Sequence, residues 1–208
     1  MNSMAIDRRR FLQGSAAMSL GPCALSWRVR AGDGGFAPAA FASAVRRGSG
    51  FALLLLSEDG SLLREIPLEA RGHDTTVHHE AGIGVMFARR PGDFAVAFEL
   101  ARASPPQVFR TPADRHFYGH GVFSQEGRLL YATENDFENA RGLIGVYDVI
   151  GGFSRVGEFP SGGVGPHDLH LLPDGRTLVV ANGGIETHPD AGRAKLNVPE
   201  MRPSLAFI

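Results

Sequence analysis

From residue 48 onward, apolar positions fall in short runs cut by small clusters of Gly, Asp, Glu and Pro. The stretch "FALLLLSEDGSLLREIPL" shows the pattern: two apolar runs meet at Glu58-Asp59-Gly60, which reads as a hairpin. "GPHDLHLLPDGRTLVVANGG" (165–184) repeats it, with Pro173-Asp174-Gly175 at the turn. Further strands are expected at Phe94 to Phe98, Gly142 to Asp148 and Phe153 to Phe159. No segment after residue 48 keeps the 3.6-residue apolar period of an amphipathic helix.

The runs recur. His73, His120 and His167 are spaced by 47 and again by 47 residues, and each opens a strand, a polar or Gly turn and a second strand. Four strands in about 47 residues is the cadence of a β-propeller blade. The expected fold is therefore all-β, a propeller of four-stranded blades. A single blade cannot cover both of its faces, so blades stack around an axis. Residues 48–208 hold three to four such units, whereas propellers have roughly 4 to 8 blades. The last residues, Ser204 to Ile208, form an apolar strand with no turn after it. These features predict about half a ring, which as it stands should expose an apolar blade face and self-associate.

Composition agrees. The 208 residues include 27 Gly and 13 Pro and are 43% hydrophobic, suiting short strands and tight turns around one core. Net charge is −1, and no basic run lies outside the N-terminus, so nucleic acid is not an expected partner. The N-terminus changes the picture of location. Asp7-Arg8-Arg9-Arg10-Phe11-Leu12-Gln13 resembles the bacterial twin-arginine export motif, and a weakly apolar stretch leads to a small-x-small cleavage site at Val29-Arg30-Ala31. The apolar stretch is too short and too rich in Gly and Ser to span a membrane. The expectation is a signal peptide over 1–31, a linker over 32–47, a partial propeller over 48–208, and a periplasmic mature chain without a transmembrane segment. Cleavage would remove Cys23 and Trp27 and leave a net charge of −5. With no cysteine left, thiol catalysis, thiolate metal sites and disulfides are excluded from the mature chain.

"GHDTTVHHEAGIGVMFARRPGDFAVAFEL", "HFYGHGVFSQEGRLLYATENDFENARGLIGVYDV" and "GEFPSGGVGPHDLHLLPDGRTLVVANGGIETHPDAGRAKLNVPEMRPSLAFI" resemble the DUF1513 family of exported, propeller-like bacterial proteins. The resemblance covers roughly residues 48–208 and implies a propeller of about twice this length. It also implies a neighbourhood of imelysin-like periplasmic proteins linked to iron uptake, and hence a role in iron or metal acquisition. "PDGRTLVVANGG" is similar to YVTN-type and lactonase-type propeller repeats, which include enzymes, binding proteins and scaffolds.

Among candidate sites, His73, His120 and His167 are the sharpest. On the innermost strands of successive blades their imidazoles would converge near one mouth of the channel. Neutral imidazoles suit a transition metal ion as cofactor, and Asp74 and Asp168, each next to one of the histidines, can orient the rings. Gly121 takes that place in the middle unit. Repetition alone also explains the spacing, since a histidine here can simply fasten strand entry by hydrogen bonding. The polar stretch from Asn182 to Asn197 is long for a connection; with Asp74 and Asp168, its Asn182, His188, Arg193 and Lys195 are candidate ligand-binding residues. "TENDFEN" (133–139) reads as a solvated acidic turn, and His78-His79-Glu80 as an exposed turn without zinc-protease spacing. No serine sits in a nucleophile elbow, and "SGGVGP" lacks the ending of a phosphate loop. No catalytic residue is assigned. The reading is a binding or scaffold protein; the alternative is a lactonase-like hydrolase or a metal-dependent oxidoreductase using residues at the channel.

Overall fold

The computed structural model describes residues 39–192 and 194–208. The signal peptide expected over 1–31 lies outside the described residues. Among the described residues, fourteen strands make four antiparallel sheets. The first holds β1 (Phe41–Arg47), β2 (Gly50–Leu56) and β3 (Leu62–Leu68). The second holds β4 (Gly72–His78), β5 (Ile83–Ala88), β6 (Phe94–Glu99) and β7 (Gln107–Arg110). The third holds β8 (Arg115–Phe123), β9 (Leu129–Asp136), β10 (Arg141–Asp148) and β11 (Ser154–Pro160). The fourth holds β12 (Pro166–Leu171), β13 (Leu178–Asn182) and β14 (Ser204–Phe207). Each sheet is a meander in chain order, as a propeller blade requires. The helical content of the described residues is two short 3₁₀ turns, Pro189–Ala191 and Val198–Glu200. No helix among them is long and apolar enough to cross a membrane.

Three apolar layers lie between successive blades. In β5 and β6 nearly every position is buried, because both faces of this sheet are covered. Met86, Ala88, Phe94, Val96 and Phe98 turn to one side and meet Leu53, Leu55, Ile66 and Leu68 of the first sheet. Val85, Phe87, Ala95 and Ala97 turn to the other and meet Phe117, Leu130, Ala132 and Tyr147 of the third. A smaller layer joins Ile144 to Leu169, Leu178 and Val180 of the fourth sheet. The two-residue alternation of a strand thus supplies both interfaces from one sequence. The inner strands β4, β8 and β12 lie side by side.

Two expectations need correcting. The segment read as a linker contains β1, whose alternation was masked by small residues (Ala42, Ser43, Ala44) but which pairs along its length with β2. The blade region therefore begins at Phe41, not 48. The acidic stretch 133–139 is no solvated turn: Thr133, Glu134, Asn135 and Asp136 are fully buried in β9. Only Phe137 to Ala140 make the turn. The carboxylates are tolerated inside because each has cationic partners. Asp136 accepts from Arg141 Nε at 2.9 Å and from Asn139 Nδ2 at 2.8 Å. Glu134 accepts from the Tyr147 hydroxyl at 2.6 Å and from Arg155 Nη2 at 2.8 Å. Gly145, on the neighbouring strand, makes the space, since a Cβ there would overlap the Glu134 carboxylate. Burial first, and then the adjacent Glu134, push the Tyr147 phenol far up.

Candidate metal centre at the channel mouth

Three inner strands carry the three histidines, and each strand departs from regular pairing where its histidine sits. The register of β4 against β5 slips between Gly72 and Thr75, around His73. That of β8 against β9 slips between Phe117 and Gly121, around His120. That of β12 against β13 slips between Pro166 and Asp168, around His167. A bulge inserts an unpaired residue and re-aims its side chain. In β8 the device depends on Gly119, whose φ of +108° is open to glycine and strained for other residues. A Cβ at Gly119 would also overlap the His73 ring.

The result is a cluster in which one ring nitrogen from each histidine lies within 4.8 Å of the others. Nε2 of His73 and Nε2 of His120 are 3.1 Å apart. Ring centroids are separated by 4.8 Å for His73 and His120 and by 5.0 Å for His120 and His167, both edge-on. Two imidazoles bound tetrahedrally to one zinc ion place their nitrogens roughly 3.3 Å apart, given bonds of about 2.0–2.1 Å. The first pair already meets that requirement, and the His167 nitrogen lies within 4.8 Å of both. His73 and His167 are exposed and His120 is mostly covered, so the cluster faces solvent on one side.

The carboxylates complete the geometry in an arrangement that adjacency in sequence does not suggest. Asp74 Oδ2 is 3.1 Å from His120 Nδ1, and Asp168 Oδ1 is 3.6 Å from the same nitrogen. Both acids therefore serve the middle histidine, not their own neighbours. A proton on His120 Nδ1 shared with Asp74 leaves the Nε2 lone pair directed at the cluster, as metal ligation needs. Partial loss of solvent around the ring lowers the pKa of His73, and the nearby His120 and His167 lower it further. The same partial desolvation and His120 lower that of His167. Burial raises the Asp74 carboxyl, but the hydrogen bonds from His120 and the Thr75 amide outweigh it, and Asp74 ends below the usual carboxylate range. Neutral imidazoles beside an ionised carboxylate are the protonation states in which a divalent metal is held.

The other candidates lie elsewhere. Asn182 is buried, its amide donating to the Ser161 carbonyl at 3.0 Å while Ser161 Oγ donates to Asn182 Oδ1 at 2.8 Å. It ties the loop before β12 to the end of β13 and is absorbed by that role. His188 caps the first 3₁₀ turn, accepting from the Asp190 amide at 3.2 Å, with its ring edge-on to Phe137 at 5.1 Å. Lys195 is exposed in the long loop. Arg193 lies outside the described residues. Sequence reasoning missed a second polar group at the same end of the blades. Asn135 Nδ2 donates to His116 Nε2 and to the Thr187 carbonyl, each at 3.1 Å, and His116 Nδ1 faces the Phe117 carbonyl at 2.9 Å. The available signal was the repeat itself, since Asn135 stands 47 residues before Asn182.

Solved structures resembling this chain include a β-propeller domain. A β-propeller domain of Cps50 (Swd1) from Myceliophteria thermophila superposes with a TM-score of 0.50 at 15% identity, covering 75% of this chain and 51% of that one. A proposed 6-phosphogluconolactonase from Bacteroides uniformis gives 0.48 at 16% identity, covering 76% and 51%. The periplasmic gluconolactonase PpgL of Pseudomonas aeruginosa gives 0.45 at 14%, covering 80% and 69%. The chain spans about half the length of the first two, and at such identities the likeness is one of fold alone. No curated protein matches the sequence. Residues 66–208 match the model of the family described as a protein of unknown function, DUF1513. The matched part exceeds half of the chain, and the protein belongs to the DUF1513 family.

Proposed function

We propose that the protein is an exported, periplasmic binding protein whose propeller holds one transition metal ion at a channel mouth through His73, His120 and His167. The observation that carries the reading is the approach of three ring nitrogens, from three successive blades, to within 4.8 Å of one another. Imidazole donors favour zinc, copper, nickel or iron over magnesium or calcium. The export motif at Arg8-Arg9-Arg10-Phe11-Leu12 supports periplasmic placement, where a metal-handling role and imelysin-like iron-uptake partners would fit.

Titration of metal-stripped protein with Zn²⁺, Cu²⁺ and Fe²⁺ by calorimetry tests this. One equivalent should bind in wild type, and none in a variant with all three histidines replaced by alanine. Absence of stoichiometric binding in wild type, or equal binding in the triple variant, would overturn the reading. A second reading rests on the solvent-facing side of the cluster. Three protein ligands with a position left open is the arrangement of catalytic zinc, and the metal-loaded protein would then hydrolyse lactones or act in metal-dependent oxidation. Lactone turnover that disappears in the triple variant would favour it.

A further inference from the structure

Apart from the histidine cluster, a cavity of about 380 Å³ opens where the end of the second blade meets β8 and the long loop after β13. Arg89, Arg90, His116, Thr187 and His188 line it. Its volume is within the range of small-molecule sites, roughly 300–1,000 Å³. Among the described residues that line it there is no carboxylate, although Glu138 and Asp190 lie 3.5 and 3.7 Å from the His188 ring nitrogens at its edge.

The walls are fixed. Thr187 is buried, with Tyr118 Oη 3.3 Å from its hydroxyl and Asn135 Nδ2 3.1 Å from its carbonyl. His116 is buried and neutral: burial lowers its pKa, and both ring nitrogens are engaged by Phe117 and Asn135. Arg90 is exposed and lies 5.9 Å over the face of the buried Tyr118, which orients its guanidinium without neutralising it. The His188 ring packs edge-on against Phe137, giving the cavity a partly aromatic side. A partly apolar wall bearing the Arg90 fork suits a planar or tetrahedral oxyanion, because guanidinium pairs with carboxylate and phosphate through two parallel hydrogen bonds.

We propose that this cavity binds a small organic oxyanion, with Arg90 holding its carboxylate or phosphate group. Calorimetry of metal-stripped protein with citrate, and separately with inorganic phosphate, at physiological ionic strength tests it. Saturable one-to-one binding of at least one probe is expected, and the probe that binds distinguishes a carboxylate from a phosphate ligand. Arg90→Gln should weaken binding about tenfold or more, a typical consequence of losing a charge-assisted hydrogen bond. Arg90→Lys, which keeps the charge but not the fork, should fall between the two and covers the case in which the glutamine variant misfolds. The triple histidine-to-alanine variant should bind as wild type does. No saturable binding of either probe, wild-type affinity in both Arg90 variants, or loss of binding in the triple variant would each overturn the assignment.

Discussion

Nδ1 of His120 lies 3.1 Å from Oδ2 of Asp74, a residue 46 positions earlier on the neighbouring blade. The contact ties two inner strands together at the histidine cluster. An acid that hydrogen-bonds a ligating imidazole sets its tautomer and raises its basicity, and its loss costs roughly 10–100-fold in metal affinity. Asp74→Ala should weaken metal binding by about that factor. Because Asp74 is half-exposed, the melting temperature of the metal-free protein should hardly change. Metal titration beside thermal melting of the same sample separates the two effects.

Gly119 is the backbone condition for the same site. Gly119→Ala places a side chain at φ +108° and drives it into the His73 ring. Strain of this kind costs about 1–3 kcal/mol. The expected outcome is a folded variant with a lower melting temperature and a clear loss of metal affinity. Unchanged affinity would separate the bulge from the site.

Inside the third blade, Glu134→Ala removes the carboxylate on which Tyr147 and Arg155 converge. Breaking a buried charge pair from one side costs about 3–5 kcal/mol. Tyr147→Phe removes one hydrogen bond to a charged group, worth about 1.5–3 kcal/mol. Chemical denaturation should rank them in that order, with metal binding intact in whichever variant folds.

His116 makes the fold acid-sensitive. Burial holds its pKa below the ordinary 6.5, so the unfolded chain takes up this proton at higher pH than the folded one. Its contribution to stability is complete above 6.5 and is lost as pH falls from there toward the folded-state value. Melting temperature should decline over that window in metal-free protein, and His116→Asn should flatten the decline.

On β14, an edge strand among the described residues, Leu205 and Phe207 are 60% and 64% exposed on one face. Edge strands with apolar faces recruit other chains. The 208-residue chain should self-associate in sedimentation experiments, and Leu205→Lys with Phe207→Lys should reduce that association.

The repeat was legible because blade packing imposes it. Each sheet must cover the next, so the runs around Val85, Phe94 and Leu178 could be read as strands without any contact being known. The convergence of His73, His120 and His167 was legible only as far as the equal spacing went. Which acid serves which histidine was not, because a bulge rotates side chains in a way adjacency does not record: Asp74 follows His73 and yet faces His120. Glu134 was misread for another reason. A string of acids next to a turn looks solvated, and what buries it is a cation 21 residues away, Arg155, together with a missing side chain at Gly145.

The three bulges have a consequence for how such a site can change. Because each blade delivers one side chain from its own local irregularity, a donor can be exchanged without disturbing the backbone that presents the other two. If the proposed metal is held there, its coordination is modular: replacing one imidazole with a carboxylate would alter metal preference, and replacing it with an apolar residue would close that side. The selectivity of such a site could vary one blade at a time, while the layers that hold the blades together stay as they are.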